Sequence, residues 1–151
     1  SGEEDNAALV WAGSAYLASW DDDRFGGEEE VFARIMGGTG FEYRITTSPG
    51  QSLEPAISLQ GSRLVVVQED WRDGHPEIYL EQFDLASGSL SVVASDIRMT
   101  THTITSQQAV DAAIAAGAAS PGPADGSRYG IAWMDTRDGS PQTYFALVGC
   151  Y

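Results

Sequence analysis

Apolar residues recur along this chain in short alternating runs bounded by glycine, serine, proline and aspartate. Alternation with period two marks strands that bury one face. Leu9-Val10-Trp11 and Ala56-Ile57-Ser58-Leu59 read as strands, each ending at a Gly-Ser turn. Tyr16 to Trp20, Leu64 to Gln68 and Tyr129 to Trp133 follow such turns and are rich in β-branched and aromatic residues. Val31 to Ile35, Ile78 to Phe83 and Thr143 to Val148 form a third set, and Phe41 to Ile45 with Leu90 to Ala94 a fourth. One stretch is ambiguous. Ser106-Gln-Gln-Ala-Val-Asp-Ala-Ala-Ile-Ala-Ala is alanine-rich, with an N-cap candidate in Ser106, and suits a helix. Its alignment with Ala56 to Leu59 predicts instead a strand over Val110 to Ile114, and the strand is the reading preferred here.

The runs belong to a repeat. Gly13-Ser, Gly61-Ser and Gly126-Ser each open a strand; nine residues after each glycine stand Asp22, Asp70 and Asp135. Two residues further come Arg24, Arg72 and Arg137, then Gly26, Gly74 and Gly139, and an aromatic closes each unit at Phe32, Tyr79 and Tyr144. Asp22 and Asp70 lie 48 residues apart, the size of a four-stranded propeller blade; the next interval is 65. The excess is expected between Ala115 and Asp125, with some before Val110. We expect an all-β chain of three antiparallel repeats, 7–50, 51–99 and 100–151, the last incomplete, in one domain behind a flexible acidic N-terminus (1–6). Propellers close with about four to eight blades, so a homodimer making a six-bladed ring is expected.

With these residues on view, the chain resembles a bacterial β-propeller repeat of secreted and envelope proteins, distantly sialidase-like and TolB-like. Its pattern runs Pro-x-Ile-Ala-x-x-Gly-Ser-x-Tyr-x-Val-x-Trp-x-Asp-x-Arg-x-Gly. The likeness spans Ala7 to Tyr151. Gln68 departs from it where Trp20 and Trp133 stand, and Pro55 has no counterpart in the other units. What the resemblance implies is a structural class in an extracytoplasmic setting (secreted, periplasmic or cell-surface).

Charge narrows the partners. Asp and Glu number 22 against eight basic residues, all arginine, for a net charge of −14. Such a surface repels phosphate backbones, so nucleic acid is not an expected partner. No apolar run reaches transmembrane length, and no membrane insertion is expected. The opening Ser1-Gly2 reads as a processed or tagged product. Cys150 is the only cysteine, so disulfide and zinc frameworks within one chain are not expected.

A feature present in every repeat is expected to be structural. Asp22 with Arg24, Asp70 with Arg72, and Asp135 with Arg137 are read as turn locks, the carboxylate accepting main-chain N–H bonds and the arginine pairing with it or stacking on an aromatic. Calcium is the one cofactor considered, at Asp21, Asp23 and Glu28, although their spacing is not that of an EF-hand. Asp70, Trp71, Arg72 and His75 are the candidate ligand-binding residues, an aromatic platform with polar neighbours for a glycan or peptide. No nucleophile motif accompanies His75 or His102, and no catalytic residues are assigned. The leading expectation is a non-catalytic, lectin-like recognition module. The alternatives are an assembly or scaffold domain of a larger envelope protein, and a sialidase-like or other glycoside hydrolase fragment.

Overall fold

The computed structural model describes residues 3–37, 40–86, 88–117, 126 and 128–149. Every regular element among them is a strand: β1 (Glu4–Trp11), β2 (Tyr16–Asp22), β3 (Glu30–Ile35), β4 (Glu42–Arg44), β5 (Ser52–Gln60), β6 (Arg63–Asp70), β7 (Glu77–Ala86), β8 (Ser89–Arg98), β9 (Ala109–Ala116), β10 (Arg128–Asp135) and β11 (Gln142–Gly149). They form three antiparallel sheets, β1-β2-β3-β4, β5-β6-β7-β8 and β9-β10-β11, called sheets 1 to 3 here. The three repeats are thus three blade-like meanders. The alanine-rich stretch is strand β9, because its cross-strand partners on β10 fix it whatever its helix propensity. Much of the excess lies earlier than expected: the β7–β8 hairpin, Glu77 to Arg98, is longer than its counterpart Glu30 to Arg44, and the link to β9 is longer too. The rest falls in the β9–β10 connection, most of which, with Cys150, lies outside the described residues.

Two boundaries differ from the sequence expectation. Strand β1 begins at Glu4 rather than Leu9, with Glu4 opposite Asp22 and Asp5 opposite Asp21, so the acidic terminus enters the sheet instead of fraying. Strand β4 keeps only three residues. Each first strand carries a bulge: at Asn6 in β1, Glu54 in β5 and Asp111 in β9, all at positive φ (50°, 51° and 55°).

The sheets stack through two apolar junctions. Leu17, Val31 and Ala33 of sheet 1 meet Ile57, Leu64, Val66 and Phe83 of sheet 2. The opposite face of sheet 2, carrying Val65, Val67, Ile78 and Leu80, meets Ala109, Tyr129, Ile131 and Trp133 of sheet 3. Successive residues of β6 therefore serve alternate junctions, which is why Leu64 to Val67 are all fully buried. Main-chain bonds knit the sheets where the first strands begin: Ser52 N–H donates to Glu29 (2.8 Å) and Ala109 N–H to Pro76 (3.1 Å).

Candidate functional site

The Asp-x-Arg turns hold one arrangement three times. The Asp22, Asp70 and Asp135 carboxylates are buried, and each accepts the main-chain N–H of the arginine two residues on, at 2.8, 2.9 and 2.8 Å. Each arginine folds back to pair with that carboxylate. Its guanidinium also lies over the aromatic of the next strand, 4.6 Å from Phe32, 4.1 Å from Tyr79 and 4.3 Å from Tyr144. Glycine follows because the turn closes at positive φ, 79° at Gly74 and 84° at Gly139. The Arg24 hydrogen bonds hold Asp22 below the usual carboxylate range. Burial opposes the charge of Asp135, but donors from Arg137, His102 and Trp133 outweigh it and its affinity for a proton falls well below normal.

The candidate ligand residues share this turn but present no open platform. Asp70 and Arg72 are consumed by each other, with Arg72 also reaching Asp96 at 2.7 Å. Trp71 is half-buried, its main chain close against Gly50. His75 is buried and turned inward, Nε2 lying 3.1 Å from Glu77.

The proposed calcium ligands are not brought together. Asp21 is buried and its Oδ2 accepts from the Asn6 amide (2.9 Å) and from Glu54 N–H (2.8 Å). Asp23 caps Glu3 N–H at 2.7 Å, and Glu28 faces Gly50 N–H at 3.3 Å. Alternation along the strand end sends Asp21 and Asp23 to different donors. Among the described residues, the acid-containing clusters with metal-ligand spacing lie elsewhere.

One is Glu54, Glu69 and Asp111, whose carboxylates lie within 4.8 Å of one another. Glu69 is buried and accepts Asp111 N–H at 2.8 Å. Burial, together with the adjacent Glu54 and Asp111 charges, pushes its carboxyl up to about 8 despite that donor. Glu81, buried and accepting from Asp96 N–H, is pushed up to about 7, chiefly by burial.

The other cluster joins His75, Glu77 and His102, all buried, between sheets 2 and 3. Glu77 opens β7 and accepts from Arg98 (2.7 Å), the Thr100 hydroxyl and His102 N–H. These donors overcome the cost of burial and hold its carboxyl below the usual range. His102 lies between two acids, Nδ1 2.9 Å from Glu77 and Nε2 2.9 Å from Asp135. Sheet 1 repeats the framework without histidine: Glu30 accepts from Arg44 (2.6 Å) and Thr46 (2.5 Å). The sequence reading did not reach Glu77, Arg98, Thr100 or His102 as partners. Extending the repeat to Glu30-Val-Phe with Arg44-x-Thr46, against Glu77-Ile-Tyr with Arg98-x-Thr100, contains that signal.

The two ends of the stack differ from its interior. Tyr16 is 53% exposed, whereas its register equivalents Leu64 and Tyr129 are fully buried. At the other end Phe145 is 63% exposed, where Ala33 and Leu80 at the same register are fully buried. The Phe145 ring lies over Gly130, at the register of buried Leu17 and Val65. Sheet 3 thus keeps a similar apolar volume on this face by exchanging which strand supplies it. On the free face of sheet 1, Ala18, Trp20, Arg34, Met36 and Glu42 line a recess of about 370 Å³. Neither a protein-family model nor a curated protein matches the chain.

Proposed function

We propose that the chain is a non-catalytic, extracytoplasmic β-propeller module of the bacterial repeat kind, whose main task is assembly: two copies pair to close a six-bladed ring. The observation that carries this reading is the exposure of Tyr16, Phe145 and Leu147 at registers where the same chain buries side chains at its internal junctions. A free sheet-3 face docking on the free sheet-1 face of a second copy repeats the internal rule, and a two-fold axis makes that junction twice. Tyr129 shows the polar detail: its hydroxyl donates to the Arg63 carbonyl at 2.5 Å across a junction. In the closed ring the same rule has Tyr16, at the register of Tyr129, donate to the Arg128 carbonyl of the second copy.

The closing junction differs in one respect. Asp21 and Glu69 receive the N–H of the bulge residue in the following sheet, but Met134 occupies their register in sheet 3. A thioether is a weak acceptor, so this junction rests on apolar contact and opens more readily than the internal ones. Light scattering at micromolar concentration tests the proposal. Twice the chain mass is expected, reduced to one chain mass in Phe145→Asp while the far-ultraviolet spectrum holds; a monomeric parent chain rejects it.

A second reading, glycan recognition, draws on the sheet-1 recess, where Trp20 lies beside Arg34 and Glu42. That face is the one a second copy would cover. A glycan array with a monomeric parent chain, and loss of binding in Trp20→Ala, would favour it.

A further inference from the structure

We propose that His75, Glu77 and His102 form a structural site for one borderline divalent cation of the zinc type, pinning sheet 3 to sheet 2. The chain has two histidines in all, 27 residues apart, and both fall in this cluster. The ligand atoms lie within 4.8 Å of one another and all three side chains are buried.

Hydrogen-bond accounting points the same way. His75 Nδ1 lies 3.2 Å from the Asp73 carbonyl, an obligate acceptor, so it carries the proton. In the neutral ring, Nε2 then turns a lone pair toward Glu77, 3.1 Å away. His102 repeats the pattern, its Nε2 facing Asp135 and its Nδ1 facing Glu77 at 2.9 Å. Each ring has an acceptor on both sides. Five groups crowd Glu77, whose two oxygens offer about four lone-pair positions. Arg98, Thr100 and the His102 main chain are obligate or natural donors, and Arg44 and Thr46 show that this framework stands without histidine around Glu30.

A cation resolves the remaining two contacts. It takes the lone pairs of His75 Nε2 and His102 Nδ1 and the charge of Glu77. The outer nitrogens then donate to the Asp73 carbonyl and the Asp135 carboxylate, the usual partners of metal-bound imidazole. Two imidazoles and one carboxylate suit zinc, cobalt(II) or nickel(II) more than calcium or magnesium. The single cysteine gave no hint, since this donor set contains none. The site lies within one chain and does not depend on ring closure.

The test uses the full chain, stripped with a chelator and titrated with cobalt(II) and then zinc. One equivalent per chain is expected, with visible cobalt bands displaced by zinc and a rise in melting temperature. His75→Ser and His102→Ser place serine where Ser140 and Ser48 stand in the other repeats, so both should fold. Each should weaken cobalt binding by more than the roughly 10–100-fold that an outer partner costs. No saturable binding, binding unchanged in both variants, or nitrogen NMR showing both rings doubly protonated and indifferent to zinc would overturn the proposal.

Discussion

Sheet 2 is packed on both faces, and its two junctions share a backbone plan while differing in chemistry. Toward sheet 1, Asp21 receives the N–H of Glu54, and Ser48 hands its hydroxyl to Asp70 at 2.9 Å. Toward sheet 3, Glu69 receives the N–H of Asp111, and an imidazole from His102 reaches Asp135. The bulge residue beside the receiving acid decides much of the difference. Asn6 gives Asp21 a side-chain donor, whereas Glu54 gives Glu69 a second carboxylate. The repeat fixes where an inter-sheet bond is made; the local residue decides whether a proton, or a cation, is part of it.

The largest effect expected concerns apolar burial. Leu80→Ala empties a fully buried position at the sheet 2–sheet 3 junction and should cost about 2–5 kcal/mol in chemical denaturation. Phe145 has the same register on the free face of sheet 3. Phe145→Ala should leave the isolated chain within about 1 kcal/mol of the parent, its effect appearing in the mass in solution. Equal losses in the two variants would mean that Phe145 works as core.

Next comes pH. Glu69 and Glu81 have folded-state values pushed up to about 8 and about 7, above those of the unfolded chain. The folded state therefore holds more protons between about pH 4.5 and 8, and stability falls as pH rises through that window. Asp22 acts in the opposite sense: its lowered value gives stability that is lost as pH falls below the ordinary carboxylate range. Glu69→Gln should flatten the alkaline slope of the melting temperature; an unchanged slope would show that the proton is held elsewhere.

The fold was largely legible because the Gly-Ser and Asp-x-Arg-x-Gly columns are local. Each sets a turn through neighbours within a few residues, so their repetition reports strand order directly. Alignment also identified β9 against its helix propensity. The sites were less legible. Asp21 and Asp23 adjoin in sequence, yet strand alternation sends them to different donors. His75 and His102 are 27 residues apart and meet only because Arg98-x-Thr100 returns the chain to Glu77. That return is set by the β7–β8 pairing, with Arg98 opposite Tyr79 as Arg44 is opposite Phe32, and the two hairpins differ in length, so a fixed repeat spacing misses it.

A smaller comparison separates the arginines. Arg72 bonds both Asp70 and Asp96, whereas among the described residues Arg137 pairs with Asp135. Arg72→Ala should cost about 1–3 kcal/mol, as for a lost charged hydrogen bond, and Arg137→Ala somewhat less. Thermal denaturation of the two variants side by side checks the order. An Arg72→Ala chain that melts like the parent would show that the turn is locked by the Asp70 main-chain bond alone.

The smallest effect should come from making one junction resemble the other. His102→Ser in metal-free protein gives sheet 3 the hydroxyl that Ser48 already supplies to Asp70. The substitution loses ring burial and the bond from Nε2 to Asp135, but it also relieves the crowding of donors and lone pairs around Glu77. Arg137 and Trp133 still reach Asp135, so its carboxylate is not left bare. These opposing terms should leave the metal-free chain within about 1 kcal/mol of the parent. A loss of several kcal/mol without metal would instead make His102 an obligatory cationic bridge between Glu77 and Asp135, and would make the two junctions different in kind.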